Sequence, residues 1–239
     1  MDHRKLQKEE SLHFFATAPK PCGYLPDRDA VSIFADPDAQ LSASLYNHLA
    51  RFGFRRSGSN IYVPSCPGCS ECIPVRIPVQ QFKRSRNQQK LWNRNQDLVQ
   101  KVLPPQFRED HFQLYRQYLA SRHPGGGMDQ PTRDEYLDFL TSRWSETVFV
   151  ELRHQDKLVA VAVTDVLDDA LSSVYTFFTP ELSRRSLGTF SILRQVELAR
   201  GAGAEWLYLG YWISDSEKMR YKGRFRPLEA YRKGRWEFL

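Results

Sequence analysis

Residues 147–178 read TVFVELRHQDKLVAVAVTDVLDDALSSVYTFF, and this stretch decides the fold. Residues 147–153, 158–166 and 171–178 are rich in Val, Phe, Thr and Tyr, the composition of half-buried strands. The four residues 154–157 (His-Gln-Asp-Lys) and a short Leu-Asp-Asp-Ala link separate them, so the three predict an antiparallel meander. Beyond Thr179-Pro comes a polar, basic run at 181–185. Residues 186–200 then space Phe190, Leu193, Val196 and Ala199 three apart, which is helical. Gly201-Ala-Gly ends that helix, and 206–209 predicts a strand parallel to the one before it.

A meander followed by a βαβ crossover, with a basic loop at the helix start, is similar to the layout of the Gcn5-related N-acyltransferase (GNAT) fold. In that layout the helix N-terminus offers free N–H groups and its positive dipole to a phosphate. Arg184, Arg185, Ser186, Gly188 and Thr189 occupy this place and are the candidate phosphate-binding residues, with a simple basic helix cap as the alternative. Phe190 stands where the acetyltransferase loop wants Gly or Ala, which argues against close wrapping of a coenzyme A pyrophosphate.

Upstream, residues 39–52 have helical spacing through Leu41, Leu45, Leu49 and Phe52, while 61–63 and 75–79 read as short strands flanking a cysteine loop. Residues 109–121 and 133–143 predict helices, the second opened by Thr132 as N-cap. His123-Pro-Gly-Gly-Gly-Met between them predicts a loop. The expected class is α+β. A small cysteine-bearing α+β domain spans 1–82, a basic linker or helix 83–104, and a GNAT-like transferase domain with a mixed sheet 105–239.

The chain has 239 residues, 41% hydrophobic and 26% charged, as in an ordinary globular protein. It carries no apolar run long enough to span a bilayer and no apolar N-terminal region of the secretory type, so the expectation is a cytoplasmic protein with no membrane partner. Its net charge of +6 is concentrated. Residues 218–235 hold eight Lys or Arg against Glu229, and 83–101 hold six against Asp97. Tyr221, Phe225, Tyr231 and Trp236 interleave with the first run, as in surfaces that stack bases while cations meet phosphates. Packing of a C-terminal strand accounts for such aromatics equally well.

Cys66, Cys69 and Cys72 fall within C-P-G-C-S-E-C, and Cys22 is the fourth cysteine. Thiolates two residues apart suit one soft metal, so these four are candidate ligands for zinc or an iron–sulfur cluster. A thiol cluster without metal is the alternative.

With those residues in view, the chain resembles the bacterial aspartate/glutamate leucyltransferases, relatives of eukaryotic arginyl-tRNA–protein transferase. The matching segments are PCGYLPDR (21–28), YVPSCPGCSECIPVR (62–76), RNQQK (86–90), RHPGGGM (122–128), VYTFFTP (174–180), SLGT (186–189), and LGYWI through KMRYKGRFRP (209–227). The resemblance implies transfer of leucine from leucyl-tRNA to proteins beginning with Asp or Glu, marking them for N-degron degradation. It implies a GNAT-like C-terminal domain and a cysteine-bearing N-terminal one. Leu25 stands where eukaryotic relatives carry a second cysteine.

The ester of an aminoacyl-tRNA is already activated, so no cofactor is required for transfer and alignment supplies much of the catalysis. Arg76, Lys218 and Lys222 are candidates to bind the acceptor's carboxylate, and Tyr221 joins them as a substrate-binding residue. Tyr175, Tyr211 and Trp212 are expected near the cleft where the parallel strands splay, with core packing as their alternative role. Tyr175 and Asp165 are the catalytic candidates, Asp165 to orient the amine or else to serve as a strand-end turn residue. Arginyl transfer, acetyl-CoA-dependent N-acetylation and RNA binding without catalysis are the competing functions.

Overall fold

The computed structural model describes residues 11–122 and 130–239. The loop expected at 123–128 lies outside the described residues.

The meander is present. Thr147–His154, Lys157–Val166 and Ala170–Phe178 pair antiparallel, and the first turn is tighter than expected. Only Gln155 and Asp156 form it, both at positive φ (48° and 63°). That is the type I′ geometry whose twist matches the flanking strands. Helix Leu187–Gly201 crosses back, and Trp206–Trp212 pairs parallel to Ala170–Phe178, over residues 170–172 against 206–208. Past Ser172 and Tyr208 these two strands no longer pair, which opens a gap in the sheet.

The described residues place eight strands in this mixed sheet. In order they are Arg235–Phe238, Glu229–Arg232, Ile73–Pro78, Trp206–Trp212, Ala170–Phe178, Lys157–Val166, Thr147–His154 and Val99–Leu103. Two positions were not expected. Ile73–Pro78, read with Asn60–Pro64 as part of the N-terminal unit, lies inside the large sheet, antiparallel to Trp206–Trp212. Its buried Val75 and Ile77 are drawn to the core under helix Leu187–Gly201. The basic segment after residue 83 forms the expected helix, Arg86–Arg94, opened by a Ser85–Gln88 capping box, but it then runs into an unforeseen edge strand, Val99–Leu103. Val99 and Val102 stay exposed there, so no apolar periodicity betrayed that strand.

Strand alternation divides the helices between the sheet's faces. Leu152 and Ala160 pack with Leu187 and Phe190, whereas Phe149, Val161 and Val163 pack with Phe112, Tyr115 and Tyr136. Helix Leu187–Gly201 thus covers one face, and helices Glu109–Arg122 and Arg133–Leu140 the other. The second of these opens on a Thr132–Glu135 capping box and ends at Leu140, three residues short of expectation. Each fully buried Phe or Tyr contributes about 1.5–3 kcal/mol.

A second, four-stranded sheet takes the order Phe14–Ala16, Ser32–Ala35, Asn60–Pro64, Arg55–Ser57, and helix Ala43–Ala50 packs on it through Tyr46 and Leu49. The architecture is mixed α+β with a large mixed sheet. No helix among the described residues is long and apolar enough to cross a membrane.

Candidate functional site

The gap between the splayed strands opens into a cavity of about 780 Å³. Ser173 to Thr176 form one side, Leu209 to Tyr211 the other, and Ser186, Gly188 and Thr189 the rim. The four-stranded sheet and the segment before it close the back through Tyr24, Arg55 and Tyr62. Lys218, Tyr221 and Lys222 reach it from the segment after Trp206–Trp212.

Eight of the candidates are therefore brought together: Tyr175, Ser186, Gly188, Thr189, Tyr211, Lys218, Tyr221 and Lys222. Ser186 sits at φ 46°, ψ 49° and makes no side-chain cap. The first bond of the helix runs from the Phe190 N–H to the Ser186 carbonyl (3.0 Å), so the amides of Gly188 and Thr189 come before it, where a helix leaves N–H groups unpaired. A side chain at 188 would meet the Phe178 ring at 3.1 Å, so the bare glycine keeps this rim open. Phe190, expected to obstruct the loop, instead turns into the core and packs on Trp92, ring centroids 5.5 Å apart.

The cavity's titration is shaped by burial. Desolvation raises the Tyr175 and Tyr211 hydroxyls and carries Tyr221 to about 12, so all three are neutral donors at neutral pH. Burial also lowers Lys222, with the charge of Arg55 second, to about 7. Lys222 Nζ donates to the Tyr211 carbonyl at 2.8 Å.

Other candidates lie elsewhere. Asp165 is fully buried and lies outside the cavity wall: both carboxylate oxygens accept from Arg56 at 2.6 Å, and Thr147 donates to it at 2.7 Å. With its lone pairs so engaged, it is a structural ion-pair partner and not a group poised for an amine. Arg76 is sandwiched between the rings of Trp206 and Trp236, 4.0 and 4.3 Å from their centroids, and donates to Glu229 at 2.5 Å. Trp212 packs on Gly223 and donates to the Arg220 carbonyl. Arg184 is exposed, while Arg185 forks onto Asp97 at 2.7 and 2.8 Å.

Two features of the site escaped the sequence reading. Arg55 carried no signal in a short strand of unremarkable composition, yet it is a buried cavity residue. The lining also holds the apolar side chains of Phe139, Val174, Phe178, Ile192 and Leu209, and Glu217 is its one acid among the described residues. Glu217 is 88% exposed and lies 3.7 Å from Arg220. The buried His111–Glu151 pair, braced by Arg153, is outside the lining.

Cys22, Cys66, Cys69 and Cys72 are all free and half-buried. Arg28 donates to the Cys69 sulfur at 3.2 Å, and the Val31 N–H to that of Cys66 at 3.4 Å. Burial, then the neighbouring thiols, push Cys72 up to about 11. Among the described residues no group of three or more His, Cys, Asp or Glu is placed to hold a metal ion.

Comparison with known proteins assigns the class. Residues 20–90 match the family described as arginine-tRNA-protein transferase, N terminus, and residues 110–232 its C terminus. The protein is an aminoacyltransferase. It is 48% identical over 230 residues to the aspartate/glutamate leucyltransferase of Nitrosococcus oceani, covering 96% of this chain and 97% of that one. It is 46% identical over 226 residues to that of Hahella chejuensis, with 95% and 97% covered. The chain belongs to the arginine-tRNA-protein transferase family. Likeness to solved structures is looser: FemX overlaps 79% of this chain and 65% of its own at a TM-score of 0.48 and 9% identity.

Proposed function

We propose that this protein transfers leucine from leucyl-tRNA to the α-amine of proteins beginning with Asp or Glu, which marks them for N-degron degradation. The observation that carries the choice of donor is that the described lining of the cavity holds no buried acid. A leucine side chain suits a lining that includes Val174, Ile192 and Leu209, whereas an arginine side chain would need a buried carboxylate, and the lining's one described acid, Glu217, is exposed. The full-length relatives named aspartate/glutamate leucyltransferase support the same reading.

In the reaction the acceptor amine attacks the ester carbonyl carbon. A C–N bond forms, the C–O bond to the terminal ribose breaks, and the proton lost by the amine ends on the ribose oxygen. An α-amine with a pKa near 8 is partly neutral at cell pH, so no strong base is needed. Alignment in the cavity supplies roughly 7–11 kcal/mol. The hydroxyl of Tyr175 and the amides of Gly188 and Thr189 are the donors offered to the tetrahedral oxyanion, whereas the Tyr211 hydroxyl already donates to the Gly53 and Tyr62 carbonyls at 3.1 and 3.3 Å. The tRNA end enters over Arg184, Ser186 and the helix start, on a GNAT-like scaffold whose back wall the N-terminal, cysteine-bearing unit supplies. No cofactor is required.

Radiolabelled leucyl-tRNA and arginyl-tRNA offered with peptides beginning Asp or Gly provide the test. Label should pass from leucyl-tRNA to the Asp peptide alone. Transfer from arginyl-tRNA at equal efficiency overturns the donor assignment, and acetylation from acetyl-CoA overturns the reaction class.

A further inference from the structure

Arg55 and Arg56 are adjacent in one strand, and their guanidinium groups meet opposite fates. Arg56 faces Asp165 and is neutralised. Arg55, 7% exposed, donates Nη2 to the Ser173 carbonyl at 2.6 Å, beside the point where the parallel strands part. Its Nη1 is buried and has no hydrogen-bond partner. Lys222, 8% exposed, gives its ammonium only a carbonyl and, at 3.9 Å, the Met219 sulfur.

The two cations converge. A Cβ built on Gly210 would lie 3.6 Å from Arg55 Nε and 3.7 Å from Lys222 Nζ. Gly210, at φ +78°, takes a backbone conformation that disfavours any other residue there, so the spot beside both cations stays bare. Among the described residues no carboxylate is bonded to either cation, although burying a charge without a counter-ion is costly. Such a pair persists where the missing anion arrives as ligand.

We infer that Arg55, with Lys222 beside it, is the subsite that reads the side-chain carboxylate of the acceptor's first residue. This rests on the acceptor specificity proposed above. A guanidinium with Nη1 unpartnered can donate to a carboxylate oxygen. The position is nearly closed to solvent and takes a compact terminal anion rather than a phosphate within a polynucleotide. Selectivity follows from the same desolvation. An amide of equal size leaves both cations unpaired, and sites built around buried polar groups reject such analogues strongly. Since Arg55 is itself a cause of the lowered Lys222, it is the fixed charge of the pair.

The experiment measures kcat/KM of the full chain for peptides identical except for a first residue of Asp or Asn, with leucyl-tRNA as donor. Wild type is compared with Arg55→Gln and Arg55→Lys, alongside leucyl-tRNA affinity and thermal melts. Arg55→Gln should lower kcat/KM for the Asp peptide by roughly 10- to 100-fold, chiefly through KM. The Asn peptide and leucyl-tRNA affinity should be unaffected, so the Asp/Asn ratio falls toward one. Arg55→Lys, which keeps a charge and folds without a buried amide, should hold an intermediate ratio. An unchanged ratio in either variant, or equal losses for both peptides, overturns the subsite. Weakened leucyl-tRNA binding with the ratio intact overturns it too, by assigning the charge to tRNA. An active wild type is needed for each of these outcomes, whereas an inert wild type strikes the proposed function itself.

Discussion

Replacing Lys222 by Met isolates what a buried, unpaired ammonium costs this fold. In the unfolded chain the amine holds its proton up to 10.5, and in the folded protein only to about 7, chiefly because of burial and secondly because of Arg55. Between those values the unfolded state binds more protons, so the wild type gains stability as pH rises across that window. Below about 7 both states are protonated and the whole penalty stands, about 5 kcal/mol on this shift. Methionine removes the penalty with nearly the same stem, and forfeits about 1 kcal/mol for the hydrogen bond to the Tyr211 carbonyl. Lys222→Met should therefore be the more stable protein near pH 6, by about 3–4 kcal/mol, and the advantage should nearly vanish by about pH 9.5. Urea unfolding of both proteins at the two pH values measures it. A variant less stable by the same amount at both would show that the folded site holds the ammonium at no cost, and the reasoning about this cavity's uncompensated charge would fail.

Arg56→Met strands the fully buried Asp165 and should cost about 3–5 kcal/mol in urea, with the pair Arg56→Met/Asp165→Asn recovering part of it. A single variant as stable as wild type would remove the ion pair from the fold's support. Arg184→Ala should weaken leucyl-tRNA binding and reduce the slope of log K against log salt by about one, while Arg185→Ala, whose charge Asp97 already holds, changes it less. Identical slopes in filter binding would take Arg184 off the tRNA path.

The meander, the crossover helix and the following parallel strand were legible because their signals are local: two-residue alternation, helical spacing and turn residues act within a dozen positions. Whole segments such as PCGYLPDR and KMRYKGRFRP likewise carried the family and its transferase chemistry. The edge strand Val99–Leu103 was not legible, since its exposed valines leave no apolar face to detect.

Charge was the property that only tertiary structure decided. Arg55, Arg56, Arg76 and Lys222 are all basic residues, and nothing nearby in the chain ranks them. Asp165 comes to Arg56 from 109 positions away, and Glu229 to Arg76 from 153. Arg55 finds a carbonyl 118 positions away and, among the described residues, no acid bonded to it. A cation's role depends on whether folding brings it a counter-ion and removes its water. Both are set by contacts between distant segments, so the sequence announced many cations and the fold decided which of them gain a counter-ion.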